Sequence, residues 1–163
     1  MLRRLLPHPT LTLLIALVWI LMSNVVTINA VVFGLILGLV IPVLTAAYWP
    51  NRPKLHNPLM IAEYALVVLY DIVVANVIVA RTILLKRNDQ MHPAWIAIPL
   101  DLHTPEAITA LAGTITMTPG TLSADLSDGG RCLLVHCLDA PDPDAVRDEI
   151  KSRYERRLKE IFE

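Results

Sequence analysis

The N-terminal third of this chain is one long apolar run. Between Arg4 and Arg52 there is no Asp, Glu, Lys or Arg, and most residues are Leu, Ile, Val or Ala. A helix rises about 1.5 Å per residue and a bilayer core is roughly 30 Å thick, so about forty apolar residues supply two crossings. The run therefore predicts two membrane-spanning helices.

Polar residues indicate where the two helices separate. They gather at Ser23-Asn24 and Thr27–Asn29, and a bilayer core tolerates few polar groups without partners. We therefore expect a tight helical hairpin with helices near 10–24 and 28–49. A secretory signal peptide is disfavoured because the run is too long for a signal core and lacks a small-residue cleavage pattern.

A third apolar segment extends from Leu59 to Leu85, after a linker of prolines and basic residues. Glu63, Asp71 and Arg81 interrupt it and fall on one side of a helix at 100° per residue. The segment either spans the membrane with its charged side against protein or lies at the interface as an amphipathic helix. Its uninterrupted apolar stretches favour spanning. Glu63 and Asp71 are then candidate intramembrane polar residues, and Asp71 is either a salt-bridge partner or a group near an ion path.

The rest of the chain has the periodicity of a small folded domain. Trp95–Ile98 reads as a strand that ends at Pro99, and Thr104-Pro105 supplies a cap and first-turn proline for a helix. Apolar residues then recur at helical spacing, which predicts one buried face. They are Ile108, Leu111, Ala112 and Ile115.

A hairpin and a final helix complete the predicted domain. In the strand Thr121–Leu126, Leu122, Ala124 and Leu126 alternate with polar residues, which predicts that this apolar set faces the core. Ser127–Gly130 has the composition of a hairpin turn, and Arg131–Leu138 is the return strand.

The last helix begins at an Asp142 cap and is amphipathic. Its apolar residues repeat every four positions: Val146, Ile150, Tyr154, Leu158 and Phe162. Its opposite face is a run of charge from Arg147 to Glu160, which is more typical of a solvated face than of a binding surface.

These elements predict a membrane protein of two parts. Residues 1–90 form a transmembrane helical region, comprising the hairpin and a third apolar helix near 59–85. Residues 91–163 form a soluble two-layer α/β domain of order β-α-β-β-α. So small a domain has a marginal core, and docking on a partner would help to hold it folded.

Charge divides the chain in the same way. Residues 1–90 contain seven Lys and Arg against three Asp and Glu, whereas residues 91–163 contain seven against twelve. An acidic, mixed-charge tail excludes nucleic acid as an expected partner. Cys132 and Cys137 are five apart in one predicted strand, so they point to opposite faces and cannot bridge. Two free thiols favour the cytoplasm for the tail.

The sequence offers no catalytic, cofactor-binding or metal-ligating constellation. Its histidines are scattered without metal-ligand spacing: His8, His56, His92, His103 and His136. The membrane half contains Gly34 and Gly38, four residues apart, which are candidates for close helix packing if the spacing is not accidental. With three spans, the basic residues split between the two sides and do not fix the orientation.

One stretch of the tail resembles a known family. The run Ala107–Leu122, including Ile-Thr-Met-Thr-Pro-Gly-Thr-Leu, resembles the E subunit of the multisubunit monovalent cation/proton antiporters, as do Asp128-Gly129 and Leu134–Leu138. This family is called Mrp, Mnh or Pha in different bacteria. The resemblance extends over essentially the whole chain and marks no catalytic residue.

The resemblance implies a multi-pass subunit of the bacterial plasma membrane with a cytoplasmic C-terminal domain. It would be an accessory, non-catalytic part of a Na⁺ (or other monovalent cation)/H⁺ antiporter, needed for assembly, stability or coupling. Its partners would be the other subunits, including large ones related to the proton-pumping subunits of respiratory complex I. From the residues themselves we expect membrane lipid around the apolar helices, and another subunit or a second copy of this chain against the domain.

Two other classes remain open from the residues alone. A membrane-anchored sensor, regulatory binding module or enzyme would need a site in residues 91–163, and no nucleophile–base pair is evident there. An autonomous transporter would need more helices or an internal repeat.

Overall fold

The computed structural model describes residues 9–45 and 57–163, and the chain divides into two compact units, Met1–Arg52 and Pro53–Glu163. The first unit contains helices α1 (Pro9–Ser23) and α2 (Ile28–Thr45). These bounds lie close to the predicted hairpin. The predicted end of the second helix near residue 49 lies outside the described residues.

The hairpin turn lies at the predicted polar residues. Asn24 has a φ of 52°, a left-handed conformation that asparagine tolerates. The Thr27 hydroxyl accepts a hydrogen bond from the Ala30 amide at 3.2 Å and caps the start of α2. The rings of Trp19 and Phe33 meet across the hairpin, with centroids 5.0 Å apart. Local hydrogen bonds and one aromatic pair therefore close the connection.

Helix α3 (Pro58–Leu85) opens the second unit. Asn57 precedes it with a φ of 54°, and Pro58 occupies its first turn, where a missing amide hydrogen costs nothing. By length and composition both α2 and α3 are apolar enough to cross a membrane, whereas α1 is described over only 15 residues. Apolar helices are thus present, as the sequence predicts.

The domain that follows contains a three-stranded antiparallel sheet. Along the chain come β1 (Ala94–Pro99), helix α4 (Pro105–Met117), β2 (Thr121–Leu126) and β3 (Cys132–Cys137), and the strand order in the sheet is β1-β3-β2. The β2–β3 connection is the predicted turn, and Gly130 has a φ of 64° there. A small sheet with helices after the apolar segments is thus the observed architecture.

The C-terminal helix consists of three continuous segments. These are α5 (Pro143–Ile150), a π-helical turn (Lys151–Glu155) and α6 (Arg156–Phe162). Asp142 caps the helix, since its carboxylate accepts the Ala145 amide at 3.1 Å. A four-residue repeat drifts by about 40° per step on an ideal α-helix, and the wider π turn takes up part of that drift. The turn therefore helps to keep the apolar repeat on one face.

One side of the sheet packs on the helices. Ile96, Ile98, Leu133 and Val135 are buried on that side. Ile108, Leu111 and Ile115 of α4 are buried against them, as the helical spacing predicts. The alternate residues of β1 and β3 lie on the open side, where the Trp95 and His136 rings meet edge to face.

The prediction of which face of β2 is turned to the core is wrong. Leu122, Ala124 and Leu126 are exposed, whereas Thr121 and Ser123 turn toward α4. The Thr121 hydroxyl donates to the Ile115 carbonyl at 2.7 Å, and the Ser123 hydroxyl donates to the Ala112 carbonyl at 2.6 Å. Ile115 lies in the last turn of α4, where carbonyl groups lack partners within the helix, and the polar residues of this edge strand supply donors to the helix. A bulge between Ser123 and Asp125 further breaks the alternation.

The division of the chain in space differs from the predicted boundary at residue 90. Helix α3 belongs to the same compact unit as the domain. Val68 is part of the domain's hydrophobic core, and Tyr64, Val67 and Ile72 pack on it. The small domain thus enlarges its core with the helix that precedes it.

Candidate functional site

The main polar contact of the second unit joins Asp71 of α3 to the C-terminal helix. Arg153 donates two hydrogen bonds to Asp71, from Nε to Oδ2 and from Nη2 to Oδ1, both 2.6 Å long. The Tyr154 hydroxyl donates to Oδ2 at 2.9 Å. A bidentate arginine–carboxylate pair combines charge with fixed geometry. Asp71 therefore docks α3 on the domain.

Glu63 makes a second, weaker contact with the same helix. Arg157 Nε lies 3.1 Å from Glu63 Oε1, and Arg157 also donates to the Arg153 carbonyl at 2.7 Å. The side chain of Glu63 is 50% exposed, so water screens this pair. Asp71 meets Arg153 and Glu63 meets Arg157, which shows that α3 and the C-terminal helix run antiparallel.

The π turn carries the residues that reach Asp71. Arg153 and Tyr154 both lie within Lys151–Glu155. Burial, and then the hydrogen bond to Asp71, raises the pKa of Tyr154 to about 12. The phenol therefore stays protonated at neutral pH and keeps its donor.

Contacts also hold the two ends of α3. Near its start, the hydroxyl oxygens of Tyr64 and Thr114 are 2.7 Å apart. Just past its end, Lys86 donates to Asp139, which also accepts the His92 amide at 3.1 Å. The Lys86 ammonium and then the His92 amide lower the pKa of Asp139 below its usual range. The domain thus contacts α3 along nearly its whole length.

The family-like motif lies in the connection from α4 to β2. Gly120 has a φ of 92°, which favours glycine, and a Cβ there would lie 3.0 Å from Val79 of α3. The Thr118 hydroxyl donates to the Thr114 carbonyl at 2.9 Å, and Thr121 closes the same turn. The motif therefore forms a hydroxyl-rich turn that lets α3 approach closely.

Sequence reasoning missed part of the charged face of the C-terminal helix. Lys151, Arg153, Glu155 and Arg157 make tertiary contacts instead of only facing solvent. Glu155 is buried, and it accepts the Asp101 amide at 2.6 Å and the Lys151 ammonium at 2.8 Å. The two acids of the third apolar segment pair with two arginines of this charged run. Local periodicity cannot reveal such a pairing, because the partners are far apart in the sequence.

In the first unit, Gly34 and Gly38 lie where α2 meets α1. A Cβ at Gly34 would lie 3.1 Å from the Ala16 carbonyl oxygen, and one at Gly38 would lie 2.5 Å from that of Thr12. Both glycines are buried. The absence of side chains therefore permits the close approach of the two helix backbones.

Within residues 9–45 and 57–163, no group of three His, Cys, Asp or Glu side chains could hold a metal ion. Cys132 is half-buried and Cys137 buried, and both are free thiols. His103 lines an open groove of about 530 Å³ with Arg131 and the β2–β3 turn. The ion pairs at Glu63, Asp71 and Lys86 instead form a surface on which the domain and α3 dock.

Comparison with known proteins identifies the family. The family described as Na⁺/H⁺ ion antiporter subunit matches residues 12–161. This chain belongs to that family. The resemblance to the E subunit is thereby confirmed, and the chain is a subunit of a Na⁺/H⁺ antiporter complex.

Individual relatives cover almost the whole chain. The probable K⁺/H⁺ antiporter E subunit of Rhizobium meliloti is 34% identical over 96% of this chain and 97% of its own length. The Na⁺/H⁺ antiporter E subunit of Alkalihalophilus pseudofirmus is 26% identical over 93% and 95%.

A solved structure has the same fold. It is a chain of the membrane-bound sulfane sulfur reductase, an archaeal respiratory membrane complex, with a TM-score of 0.76, 22% identity and coverage of 98% and 99%.

Proposed function

We propose that this chain is an accessory, non-catalytic subunit that supports assembly, stability or coupling of its antiporter complex, with the domain on the cytoplasmic side. Other subunits would provide the ion path. Two free thiols in the domain agree with a reducing compartment.

The pairing of Asp71 with Arg153 is the observation that supports this role. Glu63 and Asp71 are the only acidic residues in the apolar segments, and both bind arginines of the same unit. An ion relay needs a carboxylate that exchanges its proton or cation during each cycle. Asp71 instead has both oxygens held by Arg153 and Tyr154, an arrangement suited to docking.

Antiport measured per assembled complex tests this proposal. Asp71→Asn and Arg153→Gln remove opposite partners of the same contact, and Arg153 lies on the domain. If the contact serves docking, both variants should lower the amount of complex recovered by mild-detergent purification. Antiport in vesicles, normalised to recovered complex, should stay at the parent level in both.

An ion-relay role would separate the two variants. Asp71→Asn would then abolish antiport in a normal amount of complex, whereas Arg153→Gln would leave turnover largely intact, and the proposal would fall. Asp144→Asn is the matched control, because Asp144 pairs with Arg147 on the exposed surface. It should leave both recovery and antiport unchanged.

A further inference from the structure

Helix α3 has two faces of opposite character. The domain covers one face from the Glu63–Arg157 contact to the Lys86–Asp139 contact, about 35 Å of helix axis at about 1.5 Å per residue. The other face is exposed and apolar. Its large residues include Leu66, Leu69, Tyr70, Val73, Val77 and Leu84.

This arrangement conflicts with a membrane-spanning α3. A span would place about 30 Å of the helix in hydrocarbon, and the domain lies beside all of that length. Charged side chains of the domain, such as Arg153 and Arg157, and its loops would then enter the bilayer, where charges and irregular backbone are poorly tolerated. The face opposite the domain is nevertheless apolar enough to require a cover.

We propose that α3 lies in the plane of the membrane surface, with its exposed apolar face in the outer part of the lipid layer and the domain above it in water. The occupant of the face is thus lipid. An amphipathic helix binds a membrane in this way when one face is apolar and the other is polar. Here the polar side is provided by the docked domain.

Chain connectivity supports lipid as the occupant. Only residues 46–57 separate α2 from α3, and twelve extended residues reach at most about 43 Å. An α3 tethered so closely to an apolar hairpin stays near the membrane surface. Arg81 and Arg87 are exposed and flank the C-terminal half of the apolar face, where they suit anionic headgroups.

The distribution of basic residues gives independent support. In the sequence, every Lys and Arg of residues 1–90 comes before residue 9 or after residue 45, so all of them belong to one side of the membrane if α3 does not cross. They are Arg3, Arg4, Arg52, Lys54, Arg81, Lys86 and Arg87. The connection between α1 and α2 carries no charge. A spanning α3 would instead divide these residues four against three. The in-plane arrangement therefore satisfies the positive-inside rule and puts the domain in the cytoplasm.

Cysteine accessibility tests the sidedness of α3 in the assembled complex. Asn57→Cys and Asn88→Cys place thiols just before and just after the helix, both at exposed positions. A Cys132→Ser background removes the half-buried thiol, and Cys137 is buried. A membrane-impermeant maleimide should label both positions in inverted vesicles and neither in right-side-out vesicles. Labelling from opposite sides would overturn the proposal.

Lipid contact is tested with nitroxide quenching in phosphatidylcholine and phosphatidylglycerol vesicles. Bimane attached at Leu66→Cys, Val73→Cys and Val77→Cys should lose fluorescence at all three positions, and more with a shallow than with a deep nitroxide. Leu122→Cys, an exposed apolar position on the sheet, is the matched control and should show no loss. Quenching that deepens toward Val73 would indicate a span and overturn the proposal. No quenching at any α3 position would show that another protein surface covers the face, and would also overturn it.

Discussion

The Asp71–Arg153 contact should contribute more to the free energy of unfolding than any exposed ion pair of the domain. Hydrogen bonds to charged groups contribute about 1.5–3 kcal/mol when their partner is removed. The side chain of Asp71 is 12% exposed and that of Arg153 35%, so partial solvation reduces the sum of the two bonds. We therefore expect Asp71→Ala or Arg153→Ala to destabilise the unit by about 2 kcal/mol.

A double-mutant cycle isolates this interaction. The full chain in detergent would be compared as parent, Asp71→Ala, Arg153→Ala and the double variant, with hydrogen exchange of β1 and β3 amides reporting the free energy of opening. We expect a coupling of about 1–2 kcal/mol. The exposed Asp144–Arg147 pair, with its shortest N–O distance also 2.6 Å, should give a clearly smaller coupling, because water screens it.

Equal coupling in the two cycles would refute the reasoning. It would mean that the bidentate geometry at Asp71 adds nothing beyond a solvated ion pair. Faster exchange confined to the amides of α3, with unchanged exchange in β1 and β3, would instead limit the contact to local ordering of α3, without support for the domain.

Three further predictions follow from other contacts. Gly38→Ala should reduce recovery of the assembled complex more than Gly34→Ala, because its Cβ would lie 2.5 Å rather than 3.1 Å from a carbonyl oxygen; Gly113→Ala, with open space around it, should not reduce it. Deleting residues 91–163 should lower the yield of complex on native gels, because α3 loses its partners; full assembly with altered cation affinity would favour a regulatory role. The lowered pKa of Asp139 means that its pair with Lys86 stabilises the fold above pH 3.8, its ordinary value, and that this contribution is lost as pH falls through the lower folded-state pKa. The Asp139→Asn variant should therefore lose less stability than the parent as pH falls in the acid range. An equal loss of stability in variant and parent would contradict this.

Local pattern determined much of the architecture. The uncharged run between Arg4 and Arg52 required a hydrophobic hairpin, and the polar cluster near Asn24 located its turn, because unpartnered polar groups are costly in lipid. The Asp142 cap and the buried face of α4 likewise followed from spacing. Each of these features depends on residues within a few turns of one another, so the sequence alone contains the information.

Only the tertiary structure decided what the charges do. Asp71 is more than eighty positions from Arg153, so no periodicity predicts their pairing. Glu63 and Asp71 looked like intramembrane acids, and Arg153 and Arg157 looked like a solvated face, because each half of the contact is incomplete without the other. The inverted face of β2 has the same origin, since Thr121 and Ser123 face inward to bind helix carbonyls that only the folded domain brings near. The sequence thus determined the elements, whereas long-range pairing of polar groups decided which helix the domain holds and which face of that helix remains free.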